Sequence, residues 1–155
     1  MKVIAGIQQM GIGVADAKAA FKWYRQNFGM DIPVFEETAE ANLMLPYTGG
    51  KPHKRLAILA INIKGGGGFE IWQYTSRTPQ ACPFDLQAGD LGIFCTRIKS
   101  ADVQASYEQF KKNKLNVLGN VCMAPDNRPH FFLKDPYDNL FEIVEGDDWF
   151  GSASS

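Results

Sequence analysis

Apolar and polar positions alternate along Phe69-Glu70-Ile71-Trp72-Gln73-Tyr74. A period of two predicts a strand with Phe69, Ile71 and Gln73 on one face and Glu70, Trp72 and Tyr74 on the other. The same alternation recurs in LFEIVE (140–145), where Glu142 and Val144 oppose Phe141 and Ile143. A longer period governs DAKAAFKWYRQN, from Asp16, and DVQASYEQFKKN, from Asp102. Aromatic residues three apart (Phe21 and Tyr24, Tyr107 and Phe110) predict two amphipathic helices, each with an Asp as N-cap. Gly29 follows the first as a C′ residue. Phe21, Trp23 and Tyr24 are read as core on this spacing.

The two helices align without a gap, 86 residues apart from Asp16 to Asp102. Asp meets Asp, Ala19 meets Ala105, Tyr24 meets Phe110 and Asn27 meets Asn113. Extended segments surround each one. Upstream lie VIAGIQQMGIGV and DLGIFCTRIK. Downstream come DIPVFEE, KRLAILAINI and FEIWQYT in the first half, and NVLGNVCM, PHFFLK and LFEIVE in the second. GGGG at 65–68 and DPYDN at 135–139 supply hairpin turns. Each half therefore predicts β-α-β-β-β: unit 1 over about 1–74, a linker over about 75–90, unit 2 over about 91–146 and a flexible tail at 147–155. The two Phe-Glu-Ile triplets lie only 72 residues apart, so the second half is shorter between helix and last strand. The extra first-half material is assigned to LPYTGGKPHK (45–54), a loop placed to cover a site.

Composition narrows the classes. The 155 residues carry 16 basic and 17 acidic side chains, a net charge of −1 with no block of one sign. A nucleic-acid surface would need a gathered basic excess, so no such partner is expected. Cys82, Cys95 and Cys122 are too few and too widely spaced for a disulfide framework, which fits a reducing, cytoplasmic setting. No run approaches the roughly 20 apolar residues of a membrane helix, and MKVIAGIQQM does not read as a signal peptide. GGGG is not a phosphate loop, because a strand rather than a helix follows it.

MGIGVADAKAAFKWYRQNFGMD (10–31) and FFLKDPYDNLFEIVE (131–145), with the repeat, resemble the vicinal oxygen chelate superfamily, which includes glyoxalase I, bleomycin-resistance proteins and extradiol dioxygenases. The resemblance implies an α+β fold in which two tandem βαβββ units form a curved, incomplete barrel with one concave cavity. It also implies four metal-ligand positions on the first and last strands of the units. Three fall on Gln9, Glu70 and Glu142. The fourth, commonly His, falls on Cys95 by an ungapped count, or on Ile93 if KSAD carries a two-residue insertion.

Two carboxylates in one hollow need a compensating cation, base or proton. A divalent metal (Zn, Mg or Mn) on Gln9, Glu70 and Glu142 would supply it. The rival is Arg97, which alternation places on the same face as Cys95, with a guanidinium suited to a carboxylate or an anionic ligand. Trp72 and Tyr74 share the face of Glu70 as candidate cavity walls. His130, at the start of a second-half strand, is a further candidate ligand contact, whereas His53 lies in the covering loop. Three functions are expected in turn. The first is a metal-dependent lyase or isomerase on a small oxygen-rich substrate, the metal polarising neighbouring oxygens and Glu142 acting as base. The second is a metal-free small-molecule binder of the bleomycin-resistance type. The third is one half of a longer dioxygenase-like chain. Homodimerisation is implied by the resemblance alone.

Overall fold

In a computed structural model that describes residues 7–65, 67–80 and 82–146, the duplicated pattern becomes two βαβββ units in tandem. The chain divides into two compact units within the linker, residues 1–81 and 82–155. The first contains β1 (Gln9–Gly13), α1 (Ala17–Phe28), β2 (Ile32–Glu40), a 3-10 segment (Asn42–Tyr47), β3 (Lys54–Ile61) and β4 (Gly68–Tyr74). The second contains β5 (Cys95–Ser100), α2 (Val103–Lys112), β6 (Asn116–Met123), β7 (Pro129–Lys134) and β8 (Leu140–Glu145). The tail at 147–155 and the first six residues lie outside the described residues.

Each unit builds a four-stranded mixed sheet, in the order β1-β4-β3-β2 or β5-β8-β7-β6. The first strand of each unit runs parallel to the last, and the other pairs are antiparallel. A parallel neighbour needs a crossover, and the helix provides it. This pairing sets the opening strand of each half directly beside its Phe-Glu-Ile strand.

Both helices start as the sequence indicates. The carboxylates of Asp16 and Asp102 accept from the backbone N–H of Ala19 (2.9 Å) and Ala105 (2.8 Å), satisfying donors that the first turn leaves free. Helix α1 ends at Gly29 with φ +65, a left-handed conformation that suits glycine. Its buried stripe is Ala17, Ala20, Tyr24 and Phe28, and the Tyr24 ring meets Phe69 of β4 at 5.0 Å. In the second unit Tyr107 and Phe110 of α2 both stand edge-on to Phe131 of β7, at 5.3 and 5.9 Å. Phe69, Ile71, Phe131, Leu133, Phe141 and Ile143 are all buried under the helices, each contributing about 2–3 kcal/mol through loss of apolar surface from water. The alternation read from the sequence is thus the alternation between this core and the opposite sheet face.

The turns have distinct causes. DPYDN is organised by Asp135, which is buried and accepts from the backbone N–H of Tyr137 (2.8 Å) and Asn139 (2.9 Å) and from Asn139 Nδ2 (2.8 Å). At the other hairpin, a Cβ on Gly68 would collide with the Ala60 carbonyl, so the close approach of β3 to β4 requires glycine. The longer first half is accounted for between β2 and β3. There β2 continues to Glu40 and Leu45-Pro46-Tyr47 joins a 3-10 segment instead of an open loop. Thr48 closes this connection by donating to the Lys51 carbonyl at 2.7 Å. The expected strand DLGIFCTRIK begins late: Gly89 and Gly92 take φ values of +102 and +118, and β5 starts only at Cys95. Ile93 consequently lies outside the sheet, 67% exposed.

Candidate functional site

The sheet face of the second unit that turns away from α2 carries a polar cluster. In the parallel β5–β8 ladder Arg97 lies directly opposite Glu142. Its Nε and Nη2 donate to Oε2 (2.7 Å) and Oε1 (3.1 Å), a two-pronged charge-assisted contact. On the other side β7 presents His130, whose Nδ1–H donates to Glu142 Oε1 at 2.7 Å. Alternation sets this up: Phe131 and Leu133 enter the core, so His130 and Phe132 must face away from it, with Phe132 paired to Glu142 and His130 to Val144. Glu142 is only 7% exposed. Burial by itself would push its carboxyl pKa up, but the hydrogen bonds from Arg97 and His130 more than offset that and hold it below its ordinary value. The Arg97 guanidinium is correspondingly pushed up by its bond to Glu142. Half of the Arg97 side chain (51%) remains exposed, so it can still donate to a ligand.

In the first unit Gln9 and Glu70 are brought together, with Gln9 Nε2–H donating to Glu70 Oε2 at 2.7 Å. Trp72 and Tyr74 follow on the same face with their rings edge-on at 6.0 Å. The Arg55 guanidinium covers the Trp72 ring at 4.8 Å and is held by Glu37 at 2.6 Å. Tyr74 lines a cleft of about 490 Å³ with Thr75, Ser76 and Arg77. Gln73, on the opposite face, accepts from the Ala17 N–H at 2.9 Å and so ties the start of α1 to β4.

Register resolves the choice between Ile93 and Cys95. Glu70 pairs with Gly11, and Glu142 pairs with Arg97. Gln9 sits two residues before Gly11, as Cys95 sits two before Arg97, so Cys95 is the structural equivalent of Gln9. Ile93 is displaced because the glycines keep it out of the strand. Burial pushes the Cys95 thiol pKa up, and the negative charge of Glu142 adds to the effect. The arginine occupies the position where the first unit has only Gly11.

This donor set does not fit a divalent cation in the second unit. Both oxygens of Glu142 are engaged by Arg97 and His130, and a guanidinium beside the carboxylate repels a metal. Among the described residues no three His, Cys, Asp or Glu side chains gather as a metal site would require. The contact that sequence reasoning missed is Cys122: its Sγ lies 3.4 Å from His130 Nε2. Strand periodicity carried no signal for it, because a register shift between Leu118 and Cys122 is what sets Cys122 opposite His130 across the β6–β7 ladder.

Comparisons with known proteins agree with the topology. The sequence profile described as Glyoxalase/Bleomycin resistance protein/Dioxygenase superfamily matches residues 6–143. No curated protein matches the chain by sequence. Among solved structures, a glyoxalase family protein from Bacillus cereus superposes with a TM-score of 0.72 at 12% identity, over 93% of this chain and 95% of that one. A lactoylglutathione lyase from Agrobacterium tumefaciens gives 0.57 at 21% identity, over 96% and 98%. TioX from Micromonospora sp. ML1 gives 0.55 at 13% identity, over 90% and 98%. At these identities the structures establish the fold alone. Among the described residues no helix is long and apolar enough to cross a membrane. With the profile spanning nearly the whole chain and both units folded as βαβββ, the protein belongs to the glyoxalase/bleomycin resistance protein/dioxygenase superfamily.

Proposed function

We propose that the protein binds a small oxygen-rich molecule without a metal, using the Arg97–Glu142–His130 cluster as its polar anchor. The observation that carries this reading is the fork of Arg97 on Glu142. The carboxylate fixes the guanidinium plane, and the exposed side of that plane offers N–H donors to a ligand carboxylate or carbonyl. Glu142 is ill suited to the alternative role of general base. Two donors hold its pKa below the ordinary carboxylate range, whereas a base working near neutral pH needs a raised one.

A metal-dependent lyase or isomerase is the second reading, favoured by the Gln9–Glu70 pair, which sets a carboxylate beside a side-chain amide in the first unit. Elemental analysis of protein purified without chelators separates the two. Metal-free binding predicts no stoichiometric divalent ion, and ligand affinity that falls on Arg97→Ala and survives a chelator. A stoichiometric ion that is lost on Glu70→Gln or Glu142→Gln would overturn it in favour of the enzyme. A cytoplasmic setting and a homodimer belong to the same proposal, by analogy with the superfamily.

A further inference from the structure

Cys122, His130 and Glu142 stand in a line. Cys122 Sγ lies 3.4 Å from His130 Nε2, and His130 Nδ1 lies 2.7 Å from Glu142 Oε1. Where Nδ1–H donates to the Glu142 carboxylate, the neutral imidazole turns the lone pair of Nε2 toward the thiol. We propose that Cys122 is a nucleophilic site for small soft electrophiles of the α,β-unsaturated carbonyl class, with His130 as its base and Glu142 as the positioning residue.

The backbone places the sulfur there by a specific irregularity. Leu118 pairs with Phe132, and in an unbroken ladder His130 would then face Asn120. The register shifts between Leu118 and Cys122, so Cys122 faces His130 instead. Gly119 carries the bulge at φ +69, and Asn120 accepts from the Tyr107 hydroxyl of α2 at 3.0 Å. Bulges re-aim side chains in this way, and here the change exchanges an amide for a thiol beside the imidazole. The cysteine is exposed while the histidine and glutamate behind it are largely buried, at 12% and 9% side-chain exposure. The reacting atom therefore meets solvent, and its base is held in one orientation.

The chemistry balances without an oxidant. The Sγ–H proton passes to His130 Nε2 as sulfur bonds to the β-carbon of the electrophile. The π pair moves to the carbonyl as an enolate, and the imidazolium returns the proton to the α-carbon. Glu142 stabilises the imidazolium in the interval. This site goes beyond the ligand-binding reading and does not depend on it.

The test is acrylamide labelling of the full chain near neutral pH, with the rate at each cysteine read by peptide mass spectrometry. Exposed Cys82 is the internal reference. The expected result is that Cys122 reacts at least about tenfold faster than Cys82, a conservative figure for general-base assistance. His130→Asn keeps an N–H for Glu142 but deletes Nε2, and should bring Cys122 down to the rate of Cys82 without altering Cys82. Glu142→Gln should lower the Cys122/Cys82 ratio in protein whose circular dichroism and unfolding transition show it folded, which a merely structural role would not produce. Equal rates at Cys122 and Cys82 in the unaltered protein overturn the proposal, whether or not any variant folds. So does an unchanged ratio in a folded His130→Asn protein.

Discussion

Arg97 and Glu142 face each other across the parallel β5–β8 ladder, with both carboxylate oxygens engaged by the guanidinium at 2.7 and 3.1 Å. The carboxylate is buried and the arginine is half exposed, so the two partners are not equivalent. Removing the guanidinium leaves a buried carboxylate with two hydrogen bonds fewer. Removing the charge of Glu142 leaves an arginine that water can solvate, but leaves one carbonyl oxygen for the three N–H groups of Arg97 and His130 that shared two.

Both single changes should therefore destabilise the protein. Arg97→Ala and Glu142→Gln are each expected to lower unfolding free energy by about 1–3 kcal/mol, the usual cost of disturbing a buried hydrogen-bonded charge, reduced by the exposure of Arg97. Denaturant midpoints at neutral pH check this. Once either partner is gone, the second change should cost much less than alone, because the two share one interaction.

The contribution of Glu142 should also fade in acid. Its folded pKa lies below its ordinary value, so the folded state binds the proton less readily than the unfolded one. The stability it supplies is complete above the unfolded pKa, about 4.3, and is lost as pH falls from there through the folded pKa. The stability difference between the unaltered protein and Glu142→Gln is thus expected to shrink as pH falls below about 4. A difference that grows below that pH would contradict the sign of the shift.

The turn at DPYDN rests on one buried side chain. Asp135 accepts three hydrogen bonds within five residues, so Asp135→Ala should cost about 2–3 kcal/mol by leaving those donors unpaired. Asn139→Ala, which removes one of them, should cost about 1 kcal/mol. Thermal or urea unfolding distinguishes the two, and equal effects would argue that the turn is held by its backbone alone.

Gly68→Ala tests the other hairpin. The added methyl meets the Ala60 carbonyl, a backbone group that cannot swing aside. A loss of about 2–3 kcal/mol is expected from overpacking. A neutral effect in the same unfolding measurement would mean that β3 and β4 can separate at that point.

The caps offer a milder comparison between the repeats. Asp16→Ala and Asp102→Ala remove the same contact from equivalent helices. Each should cost about 1 kcal/mol. Similar values would show that the duplicated caps do the same job in both units.

Much of this architecture was readable in the chain because it depends on short-range periodicity. Asp16 and Asp102 announce helices by the chemistry of free N–H groups, and β7 follows a run whose alternation leaves one register for burial. The face shared by Glu142 and Arg97 was legible for the same reason, since a strand has only two faces. What periodicity cannot specify is the partner across a ladder. Gly89 and Gly92 delay β5 and settle Cys95 over Ile93, and a bulge at Gly119 sets Cys122, not Asn120, against His130. Both depend on backbone angles and inter-strand register, which arise only when distant segments pair. Sequence alone thus determined the elements and their buried faces; tertiary pairing decided which polar atoms touch, because hydrogen bonds form between neighbours in space.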